Sequence, residues 1–286
     1  MCTTCGCSDG AAATVTDIET GSKVAVRGPG SRGHPHEGHD HRHDHGHSHG
    51  NDHHHDYDHG DRHKHSTIIE LQQAVLAKND KLAARNRGWF EGRETLALNL
   101  VSSPGAGKTS LLVRTLRDLS DQVTFSVIEG DQETQYDAER IRATGCRVVQ
   151  INTGTGCHLE ADMLARGLER LQPPPRSVVM IENVGNLVCP ALFDLGENCK
   201  VVVLSVTEGE DKPLKYPHMF RAAELVILNK IDLLPHLDFD VERCIENARQ
   251  VNPNASVLQL SATTGAGLDR WYQWVLQRLP FRTQTP

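Results

Sequence analysis

Residues 96–113 read LALNLVSSPGAGKTSLLV, and this stretch decides the fold of the 286-residue chain. A continuous apolar run ends in a loop of small residues, and an amphipathic segment follows at once. This order of strand, glycine loop and helix is the context that a phosphate-binding P-loop requires. The loop departs from the usual pattern only at Ser102, where that pattern has glycine. A glycine-rich turn that binds nothing is the alternative, and the context disfavours it.

Each residue type in this loop suits one part of a nucleotide. Gly105 and Gly107 let backbone N–H groups approach phosphate oxygens at a helix N-terminus. Lys108 supplies positive charge to the β- and γ-phosphates, and the Thr109 hydroxyl is a ligand for Mg²⁺. The predicted phosphate-binding residues are Gly105, Ala106, Gly107, Lys108, Thr109 and Ser110.

Downstream of the loop, short apolar runs alternate with amphipathic segments. Because the runs are continuously apolar, we expect strands buried on both faces of a mostly parallel sheet. Helices between such strands predict a doubly wound α/β fold, a P-loop NTPase domain over residues 95–286. The predicted strands are Leu96–Val101, Val123–Ile128, Val148–Ile151, Val178–Glu182, Val201–Val206, Leu225–Leu228 and Val257–Leu260.

A second nucleotide signal is the sequence NKID, which ends a later apolar run. The Asp232 carboxylate can accept from N1–H and the 2-amino group of guanine together, whereas adenine offers no such pair of donors. The dipeptide after the last predicted strand can bring its backbone to the guanine O6. Because each motif ends a strand and the order is right, we predict a GTP-binding domain. The predicted base-binding residues are Asn229, Lys230, Asp232, Ser261 and Ala262.

Two acidic loops, EGD and ENVG, each follow a predicted strand. We predict that Asp131 holds Mg²⁺ or the attacking water and that Glu182 reaches Mg²⁺ through a water, beside Thr109. Gly185 would sense the γ-phosphate with its backbone N–H, which makes its loop a switch. A helix cap is the alternative role for Asp131. With Lys108, the two acids form the predicted catalytic set.

The N-terminal sequence MCTTCGC, within a predicted segment 1–10, places three thiols close together. Removal of Met1 would add the α-amine to the donors Cys2, Cys5 and Cys7. Such a set of nitrogen and sulfur suits square-planar Ni²⁺, and three thiolates would also hold Zn²⁺. An unstructured cysteine-rich end is the alternative.

A histidine-rich segment follows, with 14 of the 17 histidines between His34 and His65. From residue 27 to 65 the only large apolar side chain is Tyr57, so little offsets the entropy of ordering. We therefore predict a disordered tail over 11–65, whose neutral imidazoles store or buffer Ni²⁺, Zn²⁺ or Cu²⁺. A solvated linker is the alternative. Residues 66–94 are predicted as a leading helix capped by Ser66 or Thr67.

A third candidate metal site is internal. Cys157 and His158 follow the third predicted strand, and Cys189 follows the ENVG loop. All three should lie at the sheet edge that binds the nucleotide, so a shared metal site there could sense the phosphate state. Three ligands leave room for a water or for a second subunit. The other cysteines, Cys146, Cys199 and Cys244, are interpreted as small buried hydrophobes.

Composition excludes several classes of function. A net charge of −7 argues against a general nucleic-acid binder. The apolar runs are far shorter than the ~20 residues that span a bilayer, so we predict no membrane span. The N-terminus has no basic region followed by an apolar run, and we therefore expect a cytoplasmic protein with reduced thiols.

Together these motifs resemble the HypB family, the hydrogenase nickel-incorporation GTPases, over nearly the whole chain. The blocks that carry the resemblance are MCTTCGC, SSPGAGKT, VIEGDQET, RATG, NTGTGCHL, IENVGNLVCP, SVTEGEDKPLKYP, LNKIDLLP and SAT. The resemblance implies a SIMIBI-class GTPase that helps to load nickel into nickel–iron hydrogenase. Its implied partners are a HypA-like nickel/zinc accessory protein and the precursor of the hydrogenase large subunit.

The resemblance also implies site residues. A tight nickel site would use the three N-terminal cysteines, and a weaker site for Ni²⁺ or Zn²⁺ would use Cys157, His158 and Cys189. Family members form homodimers with GTP, and Lys215 would reach a nucleotide across that interface. A urease-type nickel GTPase is one alternative, which the MCTTCGC and GCHL sequences disfavour. A nickel storage or detoxification protein with an incidental GTP-binding domain is the other.

Overall fold

The computed structural model describes residues 13–26, 60–132 and 136–281. Its strands are β1 (Thr14–Asp17), β2 (Lys23–Ala25), β3 (Leu96–Ser102), β4 (Phe125–Asp131), β5 (Arg147–Asn152), β6 (Val178–Glu182), β7 (Cys199–Ser205), β8 (Leu225–Asn229) and β9 (Ser256–Gln259). Its helices are α1 (Gly60–Gly92), α2 (Lys108–Leu119), α3 (Tyr136–Arg142), α4 (Ala161–Leu171), α5 (Cys189–Leu192), α6 (Lys212–Lys215), α7 (Pro217–Ala222), α8 (Val241–Val251) and α9 (Leu268–Leu276). A 3₁₀ helix covers Ile231–His236.

The described strands form one sheet in the order β2-β1-β5-β4-β6-β3-β7-β8-β9. All pairs among β3 to β9 are parallel, which confirms the predicted fold class. Each of the seven predicted strands is present, with ends that differ by at most three residues. Since parallel strands share one carboxyl edge, loops that follow different strands meet there.

The central strand of the sheet is buried on both faces. Its alternate side chains belong to hydrophobic cores on opposite faces of the sheet. Leu98 and Leu100 of β3 pack with α2 and α9, where Trp271 is fully buried. Ala97 and Val101 belong to cores on the other face, which α4, α7 and α8 cover. This two-sided burial explains why the strands are continuously apolar in sequence.

The structure differs from the predicted tail over 11–65 at its N-terminal end. Strand β1 pairs antiparallel with β5, and β2 pairs antiparallel with β1. The sequence TVT alternates in a way that buries Val15 against the core, and Gly21 turns the chain with a φ of 66°. Two β-branched residues beside Val15 favour an extended backbone, a local signal that the composition of the following segment obscured.

The tail prediction also differs at its C-terminal end, because α1 begins at Gly60 and contains both Ser66 and Thr67. The predicted N-cap is therefore wrong, because no glycine or proline lies between Gly60 and Thr67 to make the helix begin later. The side chain of Asn86 fastens α1 to the domain by donating to the carbonyls of Ala161 and Leu195. Among the described residues, no helix combines the length and apolarity needed to cross a membrane.

Candidate functional site

A cleft of about 480 Å³ opens at the carboxyl ends of β3, β4 and β6. It lies where the sequence predicts that the phosphate loop and the acidic loops converge. The predicted nucleotide and magnesium residues that line it are Gly105, Gly107, Lys108, Thr109, Ser110, Asp131, Glu182, Gly185 and Lys230. Ala106 lies behind this lining and is buried.

The phosphate loop has a backbone that its glycines require. Gly105 and Gly107 have φ angles of 75° and 98°, in the left-handed region that favours glycine. A Cβ on Gly107 would lie 2.5 Å from Nδ2 of Asn229, so a side chain there would meet the base-reading segment. Helix α2 begins at the next residue, and its first N–H groups can therefore face phosphate oxygens.

Ser102, which replaces the usual glycine, contacts the loop lysine. Its Oγ accepts from Nζ of Lys108 at 2.8 Å. Lys108 is buried, and burial lowers the pKa of its ammonium group. Sequence reasoning treated Ser102 only as a departure from the pattern, whereas in the structure it orients the lysine.

Carboxylates gather beside Thr109. The Thr109 hydroxyl donates to Oε1 of Glu182 at 2.7 Å. Oε2 of Glu182 is buried and has no hydrogen-bond partner within the part of the chain that the structure describes. Glu129 stands opposite Glu182 in the β4–β6 register, and its Oε2 is also buried, with no hydrogen-bond partner in the described ranges. Burial, together with the charges of Glu182 and Asp131, raises the pKa of Glu129 to about 9. This donor set fits a hard divalent cation such as Mg²⁺, because carboxylate and hydroxyl oxygens are its preferred ligands.

The predicted base-reading residues are held against the phosphate loop. Asn229 is buried, donates to the Ala106 carbonyl at 2.9 Å and accepts from the Ala262 N–H at 3.1 Å. Lys230 Nζ donates to the Gly105 carbonyl at 2.7 Å. Oδ1 of Asp232 is buried and has no hydrogen-bond partner among the described residues. An orphaned carboxylate oxygen at this position fits the paired donors of guanine.

Ser261 lies in the loop after β9, next to the predicted base-reading residues. It is fully buried, and its Oγ accepts from the Thr264 N–H at 3.0 Å. The bond closes a tight turn that leaves the Ala262 backbone beside Asn229. The hydroxyl of Ser261 therefore shapes the loop, and base contact by the backbone of Ser261 and Ala262 stays a prediction.

The third metal candidate is assembled in the structure. The ligand atoms of Cys157, His158 and Cys189 all lie within 4.8 Å of one another. The two Sγ atoms are 2.9 Å apart, and Sγ of Cys157 lies 3.7 Å from Nδ1 of His158. Burial lowers the pKa of His158 to about 4, so its imidazole is neutral and can coordinate a metal. Nε2 of His158 has no hydrogen-bond partner among the residues that the structure describes, and it lies 3.9 Å from a Glu160 carboxylate oxygen.

Other predicted residues stand apart from these groups. Lys215 is exposed and pairs with Asp211 at 2.6 Å, outside the cleft of its own chain. Its role across a dimer interface stays a prediction. Cys2, Cys5 and Cys7 and the histidines from 34 to 59 lie outside the described residues.

Sequence reasoning missed charged side chains in the cleft and beside it. Arg140 of α3 contacts Asp137 at 3.0 Å and the Ser110 hydroxyl at 3.3 Å. Lys212 Nζ lies 3.4 Å from Oγ of Ser103, at the phosphate loop. No local motif marks these side chains. Charged residues three apart are common on any helix surface, so only the fold identifies them.

The chain is similar in sequence and in fold to known proteins. The sequence model of the CobW/HypB/UreG nucleotide-binding domain matches residues 96–259. Hydrogenase maturation factor HypB of Rhizobium leguminosarum bv. viciae is 62% identical over 208 residues, which cover 73% of this chain and 70% of that protein.

Two solved structures are similar over most of the described residues. HypB from Archaeoglobus fulgidus has a TM-score of 0.67 and 38% identity, covering 71% of this chain and 99% of that one. HypB from Helicobacter pylori in complex with nickel has a TM-score of 0.66 and 39% identity, covering 70% of this chain and 94% of that one.

Proposed function

This chain belongs to the HypB family of hydrogenase maturation factors, and from that premise we propose that it is a GTP-hydrolysing nickel metallochaperone. One observation carries the proposal. The segment from Glu182 to Cys189 runs from the carboxylate cluster of the cleft to the thiol cluster. A single short stretch of chain therefore belongs to both sites, which lets a change at one be felt at the other.

In this proposal the cleft binds GTP through the groups described above. Lys108 and the glycine backbone hold the phosphates, and Asp232 reads guanine. Thr109, Asp131 and Glu182 would hold Mg²⁺, which neutralises the phosphate charge when it is bound. Asp131, which also lines the cleft, would orient the attacking water. Gly185 lies against Pro104 of the phosphate loop, where a Cβ would be 3.1 Å from Pro104 Cα, and its backbone would sense the γ-phosphate.

Nickel is the cargo of the internal site. Two thiols and one neutral imidazole supply soft and borderline ligands, which suit Ni²⁺ and also Zn²⁺. The HypB structure from Helicobacter pylori is described as a complex with nickel, which supports this assignment. GTP would favour one arrangement of Cys157, His158 and Cys189, and hydrolysis would relax it, because the γ-phosphate contacts exist in only one state.

The remaining parts of the proposal concern delivery. We propose a GTP-favoured homodimer in the cytoplasm that passes nickel, with a HypA-like accessory protein, to the hydrogenase large-subunit precursor. Cys2, Cys5 and Cys7 would bind nickel tightly, and the histidine-rich segment would store or buffer it. The name of the Rhizobium relative, a hydrogenase maturation factor, supports hydrogenase over urease as the recipient.

The test is restoration of hydrogenase activity in a bacterium that lacks its own HypB, grown at limiting nickel. The wild-type chain should restore activity, whereas Lys108→Ala and Cys189→Ala should not. Cys244→Ala is the matched control, because Cys244 is a buried thiol in a different core. Restoration by Lys108→Ala at wild-type level would contradict a role for GTP. A deletion of residues 34–65 separates the functions: a pure storage protein loses its effect at every nickel level, and a metallochaperone regains it at high nickel.

A further inference from the structure

Asn183 stands between the two sites. It follows Glu182 directly, and its side chain is buried. Its Oδ1 accepts from the backbone N–H groups of Leu159 at 3.1 Å and of Val184 at 3.0 Å. One side-chain oxygen therefore joins the segment that faces the nucleotide to the residue that follows His158.

Leu159 is held from a second direction by β4. A Cβ on Gly130 would lie 2.8 Å from Cγ of Leu159, so the glycine makes room for the leucine. Gly130 lies between Glu129 and Asp131, whose carboxylates belong to the cleft. Leu159 thus contacts both acid-bearing strands, one through its amide and the other through its side chain.

The orientation of the Asn183 amide is fixed by a buried network. Its Nδ2 donates to Oδ1 of Asn99 at 3.3 Å, and Nδ2 of Asn99 donates to Oε1 of Glu197 at 3.1 Å. Oε2 of Glu197 accepts from the Leu195 N–H at 2.8 Å. Two residues earlier in the chain, the ring of Phe193 packs on His158 with centroids 4.0 Å apart. The network therefore ends in the segment that supports the imidazole of the metal site.

We infer that Asn183 is the positioning residue through which the nucleotide cleft sets the geometry of the Cys157–His158–Cys189 site, with Leu159 as its contact. This inference rests on the proposed function, since it needs a chain that binds both GTP and nickel. A displacement of the Glu182–Gly185 segment would also move the side-chain oxygen Oδ1 of Asn183. The Leu159 amide must then follow or lose its buried partner, and either response moves the adjacent His158.

The test measures the ratio of Ni²⁺ affinities with a non-hydrolysable GTP analogue and with GDP. The full chain carries Cys2→Ala, Cys5→Ala and Cys7→Ala, and Ni²⁺ is titrated against a competing chelator. Thiolate-to-nickel charge-transfer absorption is the signal, because bound histidines do not produce it. We expect a ratio of at least about fivefold before further substitution, the lower end of ordinary allosteric coupling.

Asn183→Ala should bring this ratio below about twofold while nickel still binds. Asn183→Asp keeps the oxygen that accepts from Leu159, and it should preserve most of the ratio. Gly130→Ala pushes on Leu159 without touching Asn183, and it should lower the ratio too. Asn252→Ala is the matched control, because that amide donates to the Phe220, Arg221 and Ala223 carbonyls at the opposite sheet edge; its ratio should not change.

An unchanged ratio in folded Asn183→Ala and Gly130→Ala would overturn the inference. If circular dichroism shows that Asn183→Ala does not fold, Gly130→Ala and Asn183→Asp decide the question. Equal Ni²⁺ affinities in the starting protein would overturn the coupling while leaving a GTPase that binds nickel. A starting protein without any thiolate-bound nickel would overturn the internal nickel site of the proposed function as well.

Discussion

The Sγ atoms of Cys157 and Cys189 lie 2.9 Å apart although 32 residues separate them in sequence. The loops after β5 and β6 bring them together beside His158, which is 4% exposed. Two thiols this close can share a proton between them, and together they can bind a metal ion more tightly than a single thiol can. Their proximity makes the internal site a chemical unit that can be probed by thiol reagents.

We expect Ni²⁺ or Zn²⁺ to protect Cys157 and Cys189 together from alkylation, because a coordinated thiolate is a poorer nucleophile. Mass spectrometry of peptides after a brief pulse of iodoacetamide measures the protection. Cys189→Ser should remove it from Cys157 and weaken Ni²⁺ binding at this site by roughly tenfold or more, the equivalent of about 1.4 kcal/mol. Cys146 is a partly exposed control that metal should not protect. Equal alkylation of Cys157 with and without metal would contradict coordination.

Asp232→Asn should weaken GTP binding by about 100-fold and favour xanthosine triphosphate. The change removes two charge-assisted hydrogen bonds to guanine, together worth about 3 kcal/mol. Isothermal titration with both nucleotides measures the exchange of preference. Asp238→Asn, on the exposed segment after the 3₁₀ helix, removes the same charge nearby and should leave GTP affinity intact. Unchanged GTP binding by Asp232→Asn would show that another residue reads the base.

Gly107→Ala should raise the Kd for GTP roughly tenfold or more. A methyl group there meets Nδ2 of Asn229, and the φ of 98° strains any L side chain. Gly88→Ala is the matched control, because nothing lies within 4 Å of its Cβ position in α1. That substitution should stabilise the fold by about 0.5–1 kcal/mol and leave GTP binding unchanged. Wild-type affinity in Gly107→Ala would mean that the loop does not need its left-handed backbone.

The metal-free protein should lose stability as the pH falls from 6.5 toward 4, in part because of His158. Burial lowers the pKa of His158 from its ordinary value of 6.5 to about 4. Between pH 6.5 and 4 the unfolded chain therefore binds a proton at this histidine that the folded chain does not bind. This difference lowers the free energy of unfolding by up to about 3 kcal/mol. Urea unfolding in chelator at pH 7 and pH 5 measures the loss. His158→Gln should show a smaller loss, and an equal loss would assign the pH dependence to other groups.

The positions of the glycine loop, the NKID segment and the acids at the strand ends could be predicted from sequence because each is a local pattern. The meeting of Cys157 and Cys189 was also predictable, since loops that follow parallel strands share one edge. The contacts that join the two sites were not. Asn183 and Asn99 are 84 residues apart, and their hydrogen bond depends on a strand pairing that no local periodicity encodes.

The β1–β2 pair was hard to predict from sequence for a different reason. Its alternation covers four residues, which is too short to stand out beside a long polar segment. Its stability comes from the exposed edge of β5, where Val15 lies opposite Ile151. A strand of this kind is specified by the surface it joins more than by its own sequence.

The register of this pair has a consequence for the kinetics of metal exchange. Thr14 pairs with both Asn152 and Ala25, so the chain enters and leaves the strand pair at the corner where the loop toward Cys157 begins. Cys7 precedes Ala13 by six residues, a covalent reach of no more than about 20 Å. A metal ion exchanged between these cysteines would meet a high effective concentration of acceptor. Its transfer would then be first order in protein, and dilution would leave the rate constant unchanged.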